Sequence, residues 1–218
     1  MKKLNSWTLL VLACLVQGVA ADDIDWQSGL HYHAISPAPA PAAADAPIEV
    51  VEFFWYGCPH CYQFEPFVER WLETKPADVV FTQVPVMFGG PADLHAQAFY
   101  ALEVMCERER VHEALFRAMH DQKLKLATRG ELETWLGKQG VDVEAFRAAM
   151  DSFAVNAKVN RARALMRRYG VRSVPVVVVD GRYRSGSGFQ GYEGILAVTD
   201  YLVDKVRVQR AAAGPGAE

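Results

Sequence analysis

A chain of 218 residues with 51% hydrophobic content has ample material for a core, and its length suits one globular domain or one domain carrying an insertion. A formal net charge of -3, from 23 Lys and Arg against 26 Asp and Glu, leaves no strong field of either sign. Nucleic acid and anionic membrane surface are therefore excluded as partners.

Residues 1–21 differ from the rest. Met1-Lys2-Lys3 is basic, Leu9 to Val16 is almost wholly apolar, and Gly18-Val19-Ala20-Ala21 places small residues before Asp22. This pattern reads as a secretory signal peptide cut after Ala20 or Ala21. A transmembrane anchor would need roughly 20 apolar residues, more than this run supplies, so the mature chain is not expected to be membrane-embedded. Cys14 lies early in the apolar run, after the bulky Leu12, and goes with the leader. Cys58, Cys61 and Cys106 remain. Structural cysteines in an oxidising compartment pair off evenly, so an odd number, with two of them closely spaced, points to chemistry.

Residues 22–90 read as the first part of an α/β domain. Leu30 to Ile35 is strand-like, alternating Pro and Ala from Pro37 to Pro41 favour a semi-rigid extended linker, and Pro47 ends it. Ile48 to Trp55 is a near-continuous β-branched and aromatic run, the pattern of a strand covered on both faces. From Pro59 to Leu72 the apolar positions approximate helical spacing, with Pro59 tolerable in the first turn and a kink expected at Pro66. Val79 to Met87 is the next strand, broken by Gly89-Gly90-Pro91. Strand, helix, strand in this order is a βαβ unit with Cys58 and Cys61 at its first junction.

Residues 91–170 contain no convincing strand and read as an inserted all-helical subdomain. Its helices are expected at Ala92–Glu107, Val111–Gln122, after a capping box of Thr128 and Glu131, at Val143–Phe153 behind Asp142, and at Ala154–Tyr169 ended by Gly170. Residues 171–210 resume the α/β domain. Val174 to Val179 is apolar, Asp180-Gly181 is a hairpin signal, Arg182 to Ser185 returns, and a last amphipathic helix covers Tyr192 to Arg210. Residues 211–218 form a small, polar, frayed tail.

Cys58 falls where strand turns into helix, so its sulfur is expected beside unpaired backbone N–H groups and the positive end of the helix dipole, both of which favour thiolate. His60 is a second stabiliser, and Pro59 fixes the local backbone. Cys61, one turn on, is placed to be the buried, resolving sulfur. Half a zinc site, a haem attachment signal and an inert surface disulfide are the alternatives. No second C-x-x-C exists, and Tyr62 rather than His follows Cys61.

The segment from Glu52 to Glu65, reading EFFWYGCPHCYQFE, resembles the active-site segment of the periplasmic DsbA family, and the likeness extends in kind over most of the mature chain. The resemblance implies a thioredoxin fold with the inserted helical subdomain, and oxidation of newly exported, reduced and unfolded proteins in the periplasm. It implies reoxidation by a quinone-linked membrane partner of the DsbB type. No cofactor or metal is then needed beyond a Cys58–Cys61 disulfide. By the same resemblance Pro175 is expected as a cis proline facing the cysteines, with Val174 backbone groups pairing with an extended substrate. Glu52 is expected as a buried carboxylate assisting proton movement, against the alternative of a solvated strand-end acid. Trp55-Tyr56-Gly57 and Pro66 depart from the family's best-known pattern, which touches substrate preference and tuning rather than the reaction.

Cys106, amid helical apolar residues, is expected as a buried inert thiol. His31, His33, His95, His112 and His120 read as surface or satisfied side chains, and Phe99, Phe116 and Trp135 as core. The rivals are a periplasmic disulfide isomerase or reductase and, from another class, a chaperone-like binding module with an inert disulfide. Isomerases of the DsbC type carry a dimerisation domain ahead of the thioredoxin unit, for which Asp22 to Pro47 is too short, so a monomer is expected.

Overall fold

Between Ile48 and Phe54 every residue except Glu49 is buried, and this segment forms β2, the strand around which the sheet is built. The computed structural model describes residues 25–40, 42–185 and 191–213. The leader expected at 1–21 lies outside the described residues. β2 pairs in parallel with β3 (Val79–Pro85), from Ile48 opposite Val79 to Phe54 opposite Pro85. The crossover between them is α1 (Pro59–Thr74), completing the expected βαβ unit. On its other side β2 pairs antiparallel with β4 (Val176–Val179), which continues to β5 (Tyr183–Arg184) and then to β1 (His33–Ala34). The sheet order is β1-β5-β4-β2-β3.

Alternation along the strands divides the core. Ile48, Val50, Val177 and Val179 face α1 and the last helix, α7 (Gly191–Ala213), together with Phe64, Val68 and Val198. Val51, Phe53, Val176 and Val178 face the other way, toward the helices that follow β3. By the same alternation Glu52 points to the α1 side, where no water reaches it.

Five helices lie between β3 and β4: α2 (Pro91–Val104), α3 (Arg108–His120), α4 (Arg129–Lys138), α5 (Val143–Met150) and α6 (Phe153–Tyr169). Their ends follow local chemistry. Thr128 and Glu131 form the reciprocal capping box, Asp142 accepts from the Ala145 N–H at 3.0 Å, and Gly170 closes α6 in the left-handed region.

Several expectations need correcting. The strand expected at Leu30–Ile35 shrinks to two residues, because its partner β5 offers only Tyr183 and Arg184. β3 stops at Pro85, short of Met87, and α3 begins at Arg108 rather than Val111. Ala211 to Ala213 belong to α7 instead of a frayed tail, and 214–218 lie outside the described residues. Cys106 is exposed, not buried: α2 ends at Val104, and Cys106 follows with φ of 58°, on a turn that carries its side chain off the buried face occupied by Ala101 and Leu102.

Candidate active site

β2 delivers the chain to the sheet's end, Trp55 and Tyr56 turn it, and the Cys58 N–H bonds back to the Trp55 carbonyl at 2.9 Å. Cys58 is the N-cap of α1, with Pro59 in the first turn where a missing N–H costs nothing. Both sulfurs are free thiols here. The S–H of Cys61 is the strongest influence lowering the Cys58 thiol, to about 6; the backbone N–H groups of Cys61 and His60 and the charge of His60 add to it, against the cost of burial. The leading part of Cys61 could not be read from spacing. Cys61 is inaccessible to solvent, and burial pushes its thiol far above the ordinary range, reinforced by its bond to Cys58 and by negative charge at Cys58 and Glu52.

Facing this pair is the loop before β4. Its Val174–Pro175 bond is cis, Pro175 is buried, and the Cys58 sulfur sits 3.6 Å from the Val174 carbonyl oxygen. His60 is exposed, with Nδ1 3.1 Å from the Tyr192 hydroxyl of α7, which in turn donates to Gln63 Oε1 at 2.7 Å.

Glu52 is the buried carboxyl, not a solvated strand-end acid. Burial, together with the neighbouring charge of Glu65, raises its pKa to about 8 against the opposing effect of a hydrogen bond from Gln83 at 3.1 Å. Gln83 also reaches Glu65 at 3.3 Å, while Glu52 Oε1 has no hydrogen-bond partner among the described residues. Glu65 and Gln83 were missed in the sequence, because nothing local distinguishes them from surface residues of a helix and a strand.

Three of the histidines expected to be satisfied converge on the approach to Cys58. Trp55 Nε1–H donates to His95 Nδ1 at 3.1 Å, and His95 Nε2–H donates to the Leu126 carbonyl at 2.9 Å. His112 bridges the Tyr56 hydroxyl, at 2.6 Å, and Glu65, at 3.1 Å. His120 Nε2–H donates to the Tyr56 carbonyl at 2.8 Å, its ring stacked on Tyr62. The helices after β3 therefore clamp residues 55 and 56 in place. Among the described residues no group of three or more His, Cys, Asp or Glu side chains is placed to hold a metal, and no helix is long and apolar enough to cross a membrane.

A sheet of this order, with a C-x-x-C pair at the junction of the interior strand β2 and the first helix and a cis proline facing it, defines a thiol–disulfide oxidoreductase of the thioredoxin fold. The chain is 42% identical over 214 residues to the thiol:disulfide interchange protein DsbA of Pseudomonas aeruginosa, covering 98% of this chain and 99% of that one. It belongs to the DsbA family. The DsbA of Azotobacter vinelandii is 45% identical over 172 residues, 78% of this chain and 80% of its own. A family model described as a DSBA-like thioredoxin domain matches residues 91–198, beginning after the two cysteines. Among solved structures, the crystal structure of P. aeruginosa DsbA superposes with a TM-score of 0.78 at 44% identity, covering 87% of this chain and 97% of that one. DsbA from Xylella fastidiosa superposes with a TM-score of 0.76 at 34% identity, covering 84% and 98%.

Proposed function

We propose that the chain is a periplasmic dithiol oxidase that donates a Cys58–Cys61 disulfide to newly exported, reduced proteins. The observation that carries this reading is the divergence of the two thiols: Cys58 is lowered to about 6 while Cys61 is driven upward. A substrate thiolate attacks Cys58 Sγ of the disulfide. The S–S bond breaks, and Cys61 leaves as a thiolate and takes up a proton. A second substrate thiolate then attacks the substrate sulfur of the mixed disulfide and expels Cys58, the better leaving group for its low pKa. The substrate gains a disulfide and the protein ends as the dithiol. Glu52, protonated near neutral pH, is suited to supply the proton Cys61 needs, since its charge is felt at that sulfur. Pro59 and His60 tune the thiolate, and the Val174 backbone beside Pro175 offers hydrogen bonds to an extended substrate segment.

The setting follows from the same reading. Residues 1–21 would direct export, 22–90 and 171–210 make the thioredoxin-like domain, and 91–170 the helical insertion. A quinone-linked membrane oxidase of the DsbB type would restore the disulfide of this monomer, with no other cofactor. The isomerase or reductase alternative is disfavoured by the stabilised Cys58 thiolate, because favouring the reduced form makes the disulfide more oxidising. The deciding experiment is equilibration of the protein with a glutathione redox series, read by thiol alkylation. A potential far above thioredoxin's value of about -270 mV is expected. A thioredoxin-like value would replace the oxidase with a reductase.

A further inference from the structure

Tyr192 opens α7, 132 residues from His60 in sequence, yet its hydroxyl sits between His60 and Gln63 at the mouth of the redox pair. Its ring is held between Phe64 and Phe67, with centroids 5.7 and 5.5 Å away, so the hydroxyl is delivered by a packed aromatic group. A phenol has one proton to give. Tyr192 gives it to Gln63 Oε1 at 2.7 Å, leaving only lone pairs for His60. The 3.1 Å contact with His60 Nδ1 therefore requires the imidazole to be the donor. The phenol thereby fixes both the orientation of the ring and which of its nitrogens carries the proton facing α7.

We propose that Tyr192 is a positioning residue for the redox centre: its hydroxyl, committed to Gln63, holds His60 as an Nδ1–H donor and fixes the imidazole ring beside Cys58. The inference rests on the oxidase reading and deepens it by assigning part of the tuning to α7. Burial raises the Tyr192 hydroxyl's own pKa, and negative charge at Cys58 and Cys61 raises it further, which places the hydroxyl within the field of both sulfurs. Tyr192 does not touch the reacting atoms and acts through His60.

The test is the equilibrium between protein disulfide plus two glutathione thiols and protein dithiol plus glutathione disulfide. Tyr192→Phe keeps the ring and removes the hydroxyl. Loss of one hydrogen bond that positions the His60 ring is expected to shift the equilibrium constant about three- to tenfold toward the protein disulfide, roughly 15 to 30 mV less oxidising. The thiolate absorbance of Cys58 titrates at higher pH in the same variant. Combined with His60→Ala, Tyr192→Phe changes neither readout, which a merely structural role would not produce. Gln63→Leu, at an exposed position, frees the phenol proton to turn toward Nδ1 and shifts the equilibrium the same way with the fold intact. A Tyr192→Phe equilibrium equal to wild type, or a shift that persists undiminished in the His60→Ala background, overturns the proposal. A wild-type potential already near thioredoxin's overturns the oxidase reading, and this inference with it.

Discussion

The Cys61 S–H is the strongest influence lowering the Cys58 thiol, to about 6, while burial, reinforced by the same bond to Cys58, raises Cys61. Because the thiolate is the nucleophile, the two sulfurs of the reduced protein differ in reactivity far more than in sequence position. Iodoacetamide is predicted to label Cys58 with a rate that rises with pH around a midpoint of about 6, leaving Cys61 unmodified in the folded state. Peptide mapping after a short pulse at pH 7 checks this; equal labelling of both cysteines would refute the division of labour. Cys106, being exposed, is labelled separately and is best replaced by Ser first.

The same thiol makes redox-linked stability depend on pH. Cys58 is depressed from an ordinary value near 9 to about 6, so between these values the unfolded reduced chain holds a proton that the folded one has released. Stability of the reduced form then rises with pH, by at most about 4 kcal/mol over the three units. The oxidised form has no thiol there to titrate. The gap in unfolding free energy between reduced and oxidised protein should widen from pH 6 toward pH 9 and close as pH falls through 6. Paired denaturant titrations at pH 5, 7 and 8.5 measure it, and a gap that does not vary with pH contradicts the Cys58 assignment.

Glu52 works in the opposite sense. Its pKa is raised to about 8 in the fold, so above its ordinary carboxylate value the unfolded chain has lost a proton that the folded one still holds, and stability falls as pH rises toward 8. Glu52→Gln keeps shape and removes the charge. It is predicted to flatten this decline and to gain more than about 1 kcal/mol over wild type at pH 8 relative to pH 5. Stopped-flow oxidation of a reduced peptide should slow at the step where Cys61 takes up its proton. An unchanged stability profile and an unchanged rate would return Glu52 to a packing role.

How much of this could be read from residues alone depends on distance along the chain. The Cys58–Cys61 junction, the Thr128–Glu131 capping box, Gly170 and the Asp180-Gly181 turn are all decided within four residues, and each stands where local chemistry put it. Tyr192 with His60, His95 with Trp55 and His112 with Tyr56 join residues 40 to 132 apart, and no periodicity encodes such pairs. Cys106 misled because its apolar neighbours suggested a buried face, whereas its position was set by where α2 stops. The histidines were correctly read as satisfied, yet their convergence on one short segment emerges only when α2 and α3 are folded against β2.

Gly57 supplies the last test, at a position where space rather than backbone angle decides. A Cβ added there would overlap the Trp55 indole, which lies directly over it. To admit Gly57→Ala the indole must swing away, breaking the Nε1–H bond to His95 Nδ1 and stranding an acceptor on a ring that is only 1% exposed. Overpacking and a lost buried hydrogen bond together cost about 1 to 3 kcal/mol, a Tm lower by roughly 3 to 10 °C in a chain of this size. Gly130 is the control: it lies in α4 with nothing within 4 Å of an added Cβ, so Gly130→Ala should be neutral or raise Tm slightly. Thermal unfolding of the two variants side by side, with tryptophan emission reporting the Trp55 environment, decides the matter; a Gly57→Ala protein as stable as wild type would mean that the indole does not hold the approach to Cys58.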